Sequence, residues 1–170
     1  MSKRTKLISL SILSLIAYIY LNYYFTFFTI ENRITKYSEE MSALNQLLKD
    51  MTQENLISIL VIITIIVTTL SLLVQYLVGI FLLMLFTDKV KSQLFYALIP
   101  KIIIMSINVI FIVTWQIYDS WLYLTTALVG SILIMFLFQY KKQNWKASIL
   151  FSIAFILDPV ISIVKEISTL

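Results

Sequence analysis

The sequence predicts an all-α, polytopic helical membrane protein with five transmembrane helices and one extracytoplasmic amphipathic helix. Three observations lead there. Sixty per cent of the 170 residues are apolar, the composition of a helical membrane chain. The apolar residues gather into five runs, 7–30, 56–86, 98–115, 121–140 and 147–164, each near or above the roughly 20 residues that a helix needs to cross a bilayer core. The charges between the runs alternate in sign. Of 13 basic residues, nine fall in the N-terminus, the second connection (Lys89, Lys91 and Lys101) and the fourth connection; eight of the nine acids fall elsewhere. Short cytoplasmic connections retain Lys and Arg. The expected path therefore starts inside, crosses five times and ends outside, as a single membrane domain over 1–170.

The first run follows Lys3, Arg4 and Lys6 and resembles a signal peptide. It is too long for one, however, and lacks a small-residue cleavage site before Glu31, so an uncleaved signal anchor is expected. The connection 31–55 is the one sizeable polar segment. Within it Ile34, Tyr37, Met41, Leu44, Leu48 and Met51 recur at spacings of three and four, an apolar seam along one side of a helix. Ser38 before Glu39 and Glu40 suits an N-cap, and Thr52 suits the cap of the next span. The polar face of this outer helix carries more acids than bases. A helix lying on anionic lipid usually shows the reverse. The seam reads either as lying on the outer membrane surface or the chain's own loops, the plainer occupant, or as a docking stripe for a protein partner outside the cell, and the acidic face tilts the reading slightly toward docking.

The second run holds 31 residues without a charge. As one helix it spans about 46 Å, against a hydrocarbon core of about 30 Å. Gln75 near its middle is expected to hydrogen-bond a neighbouring helix. Pro100 suits the opening of the third span, where a missing N–H costs little. The fourth span offers Ala127, Gly130 and Ser131, and the fifth Ser148 and Ser152, as small residues for close helix contact. Asp158 followed by Pro159 reads as a helix break in the fifth span, with Asp158 as cap and Pro159 as first residue of a new turn. Lys141, Lys142 and Lys146 around Trp145 form an interfacial anchor on the cytoplasmic side.

No chemistry-bearing constellation emerges. The chain has no histidine and no cysteine, which removes the usual metal ligands and two of the usual catalytic groups. No glycine-rich phosphate loop occurs. The expectation is a non-enzymatic protein without cofactor or metal. The net charge of +4 is explained by the loops, so the lipid bilayer is the expected partner and nucleic acid is not. Asp158 is the intramembrane acid, and the spans before it are read as free of the charges that a proton-coupled carrier needs.

From Thr69 to Ile112 the sequence runs TLSLLVQYLVGIFLLMLFTDKVKSQLFYALIPKIIIMSINVIFI. A long apolar helix with Gly79 precedes a short basic turn, then Tyr96-Ala97 and Ile99-Pro100. This segment resembles the Yip family of five-span integral membrane proteins, bacterial branch. The resemblance implies an accessory role in the bacterial plasma membrane, beside an ABC-type exporter of peptides or drugs. The partner would be a larger membrane protein, the transporter permease or its extracytoplasmic subunit. Two other readings stay open: a stand-alone immunity protein against a membrane-active peptide, and a small-molecule transporter subunit.

Overall fold

A computed structural model of the chain describes residues 3–36, 52–87, 90 and 92–168. Five helices account for nearly all of them: α1 Lys3–Lys36, α2 Gln53–Phe86, α3 Phe95–Trp115, α4 Ser120–Lys142 and α5 Trp145–Ser168. Each is long and apolar enough to cross a membrane, the pattern of a multi-pass membrane protein. Of the outer seam only Ile34 lies among the described residues. It belongs to α1, where it is buried against Ile57 and Val61 of α2. Tyr37, Met41, Leu44, Leu48 and Met51 lie outside the described residues.

The helix ends follow local chemistry. Thr52 caps α2 as expected, its hydroxyl accepting from Asn55 N at 3.4 Å. Asp119 Oδ1 caps α4 by accepting from Trp121 N at 3.0 Å. Asn144 Oδ1 accepts from Ala147 N at 3.1 Å. With only two glycines in the chain, α3 and α4 stop on left-handed glutamines, Gln116 (φ 51°) and Gln143 (φ 52°). At Gln116 the closing bonds are Gln116 N to Ile112 O and Ile117 N to Phe111 O, the pattern that satisfies the last carbonyls of a helix. Four residues link α3 to α4 and two link α4 to α5. Connections so short make antiparallel neighbours.

The helices pack as a closed ring in the order α1, α2, α5, α4, α3 and back to α1. Helices that are not adjacent in this ring scarcely touch, apart from Phe25 of α1 meeting Tyr123 of α4 edge-on at 4.8 Å. Small residues set the close approaches. A Cβ on Gly79 would stand 2.7 Å from the Phe151 carbonyl oxygen, and one on Gly130 would stand 2.9 Å from Ile104 Cγ1. These glycines seat α2 on α5 and α4 on α3. The main apolar core lies toward the end where the chain starts and joins α2 to α5. It comprises Leu83, Ala97, Ile134, Phe138, Ala147, Phe151 and Phe155.

Two sequence expectations about proline are corrected. Pro100 is the sixth residue of α3 rather than its opening, since the helix begins at Phe95. The Asp158-Pro159 break is not a break: α5 runs unbroken from Trp145 to Ser168 with Pro159 inside. Pro159 has no N–H to give to the carbonyl of Phe155. Ser131 Oγ of α4 donates to that oxygen instead, at 2.6 Å and fully buried. A neighbouring helix thus supplies the donor that proline lacks, one of the ways in which membrane helices tolerate proline.

A candidate charged site inside the helix ring

In the sequence Lys101 groups with the second connection, and the spans before Asp158 count as uncharged. The structure corrects this. With α3 starting at Phe95, Lys101 stands six residues, about 9 Å, inside the helix. Its direction follows from the neighbours. Leu98, Ile102 and Met105 of α3 pack with Tyr18 of α1. Ile104 and Asn108 face α4, through Gly130 and through the Thr126 hydroxyl, which donates to Asn108 Oδ1 at 3.0 Å. At about 100° per residue, Lys101 falls between these two stripes and about 180° from the exposed Ile110. It therefore faces the inside of the ring, half-buried.

Asp158 faces it from α5. It stands 13 residues, about 20 Å, into that helix. It is about 180° from the exposed Ile149 and Ile167, and within about 20° of the fully buried Phe151. Its flanking neighbour Pro159 is buried, yet Asp158 itself is exposed. Ile161 and Lys165, on nearby faces of α5, are exposed too, so Asp158 stands at the accessible edge of the packed face of α5. The expected cap is absent: among the described residues the Asp158 carboxylate accepts no hydrogen bond, and only its backbone carbonyl is engaged, by Ser162 Oγ at 3.0 Å. Asp158 acts electrostatically on both Lys101 and Tyr18. Lys101 of α3 and Tyr18 of α1 thus each lie within electrostatic reach of Asp158.

Other polar groups occupy the same interior. Tyr18 is 6% exposed. Asn22 Nδ2 donates to Thr68 Oγ1 at 2.5 Å, and Thr26 Oγ1 donates to Asn22 Oδ1 at 3.4 Å, tying α1 to α2 one turn beyond Tyr18. Gln75 was expected to reach another helix. Its Nε2 instead donates to Ser71 Oγ in its own helix at 3.1 Å. Its Oε1 is buried without a hydrogen-bond partner. Gln75 lies between Leu72, which packs on Tyr18, and Gly79, which packs on Phe151, so it belongs to the inward stripe of α2. Among the described residues no group of three His, Cys, Asp or Glu side chains could hold a metal ion.

The remaining sequence-derived residues have structural places. Gly130 and Ser131 are buried between α4 and its two neighbours, as the small-residue pattern predicts. Ser148 and Ser152 are fully buried, and Ser148 Oγ donates to Gln139 Oε1 of α4 at 3.2 Å. At the basic end, the Lys142 ammonium sits 5.5 Å from the centre of the Tyr96 ring and Trp145 is exposed. A cleft of about 350 Å³ lies at this end, between α1 residues such as Ser11, Tyr76 of α2, and Ser92 and Gln93 of the α2–α3 connection. Ser92 Oγ and Gln93 Oε1 are buried there without partners.

No family model, no curated protein and no solved structure matches this chain.

Proposed function

We propose that this protein is a non-enzymatic accessory subunit of a bacterial membrane complex, an ABC-type exporter of peptides or drugs. The observation that carries the partner reading is the length of the α1/α2 pair. Both helices have 34 residues, about 51 Å, whereas α3 has 21, about 32 Å. They lie side by side from the Tyr18–Leu72 level out to Ile34 on Ile57 and Val61. The 31-residue uncharged stretch of α2 alone would need a tilt of about 50° to fit a core of about 30 Å, beyond the 0–40° found for membrane helices. An apolar end that outruns the bilayer calls for a protein surface to cover it. Ile59, Ile62 and Ile63 at the start of α2 are exposed and apolar. The Yip-like stretch 69–112 supports the exporter as the setting.

In this reading the N-terminus and the Lys141–Lys146 turn are cytoplasmic, and the far end of the α1/α2 pair and the C-terminus are outside the plasma membrane. The seam residues Met41 and Leu44 would anchor the partner, because interface energy concentrates in a few buried apolar side chains. The test is affinity purification from native membranes in mild detergent. The double change Met41→Glu with Leu44→Glu is expected to leave membrane abundance intact and to abolish recovery of the larger partner. Equal recovery by wild type and variant refutes docking through the seam. No partner in either case, with wild type still conferring peptide resistance alone, supports the immunity reading instead. A small-molecule transporter subunit is the second reading, favoured by the inward-facing Lys101 and Asp158.

A further inference from the structure

We infer that Lys101 and Asp158, on facing walls of the helix ring, form an intramembrane site for a small zwitterion, the Lys101 ammonium taking its anionic group and the Asp158 carboxylate its cationic one. The inference concerns the single chain and does not depend on a docking partner.

Both groups are costly where they stand. Each stands well inside a helix that is long and apolar enough to cross a membrane, where an ionisable side chain is expensive and commonly functional. Their inward direction rests on the faces of α3 and α5 that pack on neighbours. Asp158 lies within electrostatic reach of Lys101. Yet among the described residues neither side chain forms a hydrogen bond or ion pair. A pair whose only role is to hold α3 to α5 would close into direct contact, since low-dielectric surroundings reward close pairing and penalise separated charges. These two remain apart, and Asp158 stays exposed.

The occupant follows from complementarity. A simple anion would leave Asp158 unmatched, and a simple cation would leave Lys101 unmatched. A zwitterion satisfies both and leaves the loaded site neutral, as a membrane interior favours. Gln75 Oε1, buried and unpartnered on the inward stripe of α2, is a further acceptor for a ligand N–H. The Tyr18 hydroxyl on α1, within electrostatic reach of Asp158, is a further donor. A charged pair bracketed by an acceptor and a hydroxyl fits the ammonium and carboxylate of an α-amino acid or a short peptide.

The experiment uses the full chain, purified in mild detergent. The probes are the 20 L-amino acids added singly, with acetate and methylammonium as the two half-ligands. At least one amino acid is expected to raise the melting temperature of wild type, and neither half-ligand should. Lys101→Met and Asp158→Asn should each weaken that amino acid at least tenfold. A second measurement does not depend on the charge variants folding. The chain has no cysteine, so Ser162→Cys, one turn from Asp158, and Ile149→Cys, on the opposite face, can each be labelled with a water-soluble maleimide in reconstituted vesicles. Ser162→Cys should react and be protected by the amino acid, while Ile149→Cys should not react. No stabilisation by any amino acid, unchanged affinity in both charge variants, or an unreactive Ser162→Cys overturns the site. Loss of partner capture in native membranes bears on the accessory role and leaves these readouts untouched.

Discussion

The Ser131 hydroxyl is predicted to offset the donor that Pro159 lacks, and a double-mutant cycle isolates that role. Both Ser131 and Phe155 are fully buried, and the bond between Ser131 Oγ and the Phe155 carbonyl is 2.6 Å. The same hydroxyl lies 3.0 Å from Ala127 O in its own helix. It has one proton, and the shorter distance favours Phe155. Ser131→Ala leaves that carbonyl with neither the proline N–H nor the hydroxyl. A buried acceptor left unpaired costs about 1–3 kcal/mol, while interhelical bonds in membranes average about 0.6 kcal/mol, with a maximum near 1.7. The expected loss is therefore about 1 kcal/mol. Pro159→Ala returns a backbone N–H to Phe155 O. In that background Ser131→Ala should cost only a few tenths of a kcal/mol, giving a coupling of about 0.5–1 kcal/mol. The assay is equilibrium unfolding in mixed micelles followed by tryptophan fluorescence. Additive single effects, to within about 0.3 kcal/mol, would refute the compensation.

The two glycines should respond differently in the same unfolding assay. Gly79→Ala meets a backbone oxygen at 2.7 Å and should cost about 2 kcal/mol or more, whereas Gly130→Ala meets the movable Ile104 side chain at 2.9 Å and should cost about 1 kcal/mol or less. Equal costs would mean that α2 and α5 can shift apart freely. Asn22→Leu removes the 2.5 Å bond to Thr68 and the 3.4 Å bond from Thr26 within α1 and should destabilise by about 0.6 kcal/mol, at most about 1.7, for the interhelical bond; a larger loss would show that Asn22 holds more than these two contacts. For orientation, single cysteines replacing Ser38 and Thr169 should react with impermeant maleimide in intact cells, and those replacing Lys91 and Asn144 should not. Labelling at Lys91 or Asn144 would reverse the proposed topology.

Much of the fold was legible because membrane helices must be long and apolar, and their number and centres follow from counting. Their ends were less legible. Glu31 and Arg33 end the apolar run, yet α1 continues to Lys36, because Ile34 gains burial on α2. The apolar count likewise started α3 at Leu98 and read Pro100 as its opening, whereas the helix begins at Phe95. The proposed partner seam beyond Ile34 lies outside the described residues.

The candidate site was the least legible part. The sequence by itself determined that Lys101 stands near the start of one apolar run and Asp158 about two-thirds of the way along another, where a loop charge and a helix cap are the ordinary readings. Helical periodicity can say which residues share a face, but it cannot say which face meets which neighbour. That depends on the ring order, set by close contacts between residues distant in sequence: Gly79 on Phe151, Gly130 on Ile104 and Tyr18 among Leu98, Ile102 and Met105. The same tertiary packing brings Ser131 to the Phe155 carbonyl and so keeps α5 helical through Pro159. Only with those partners in place do Lys101 and Asp158 turn inward, because a charge left facing lipid would lie in the one solvent that cannot hydrate it.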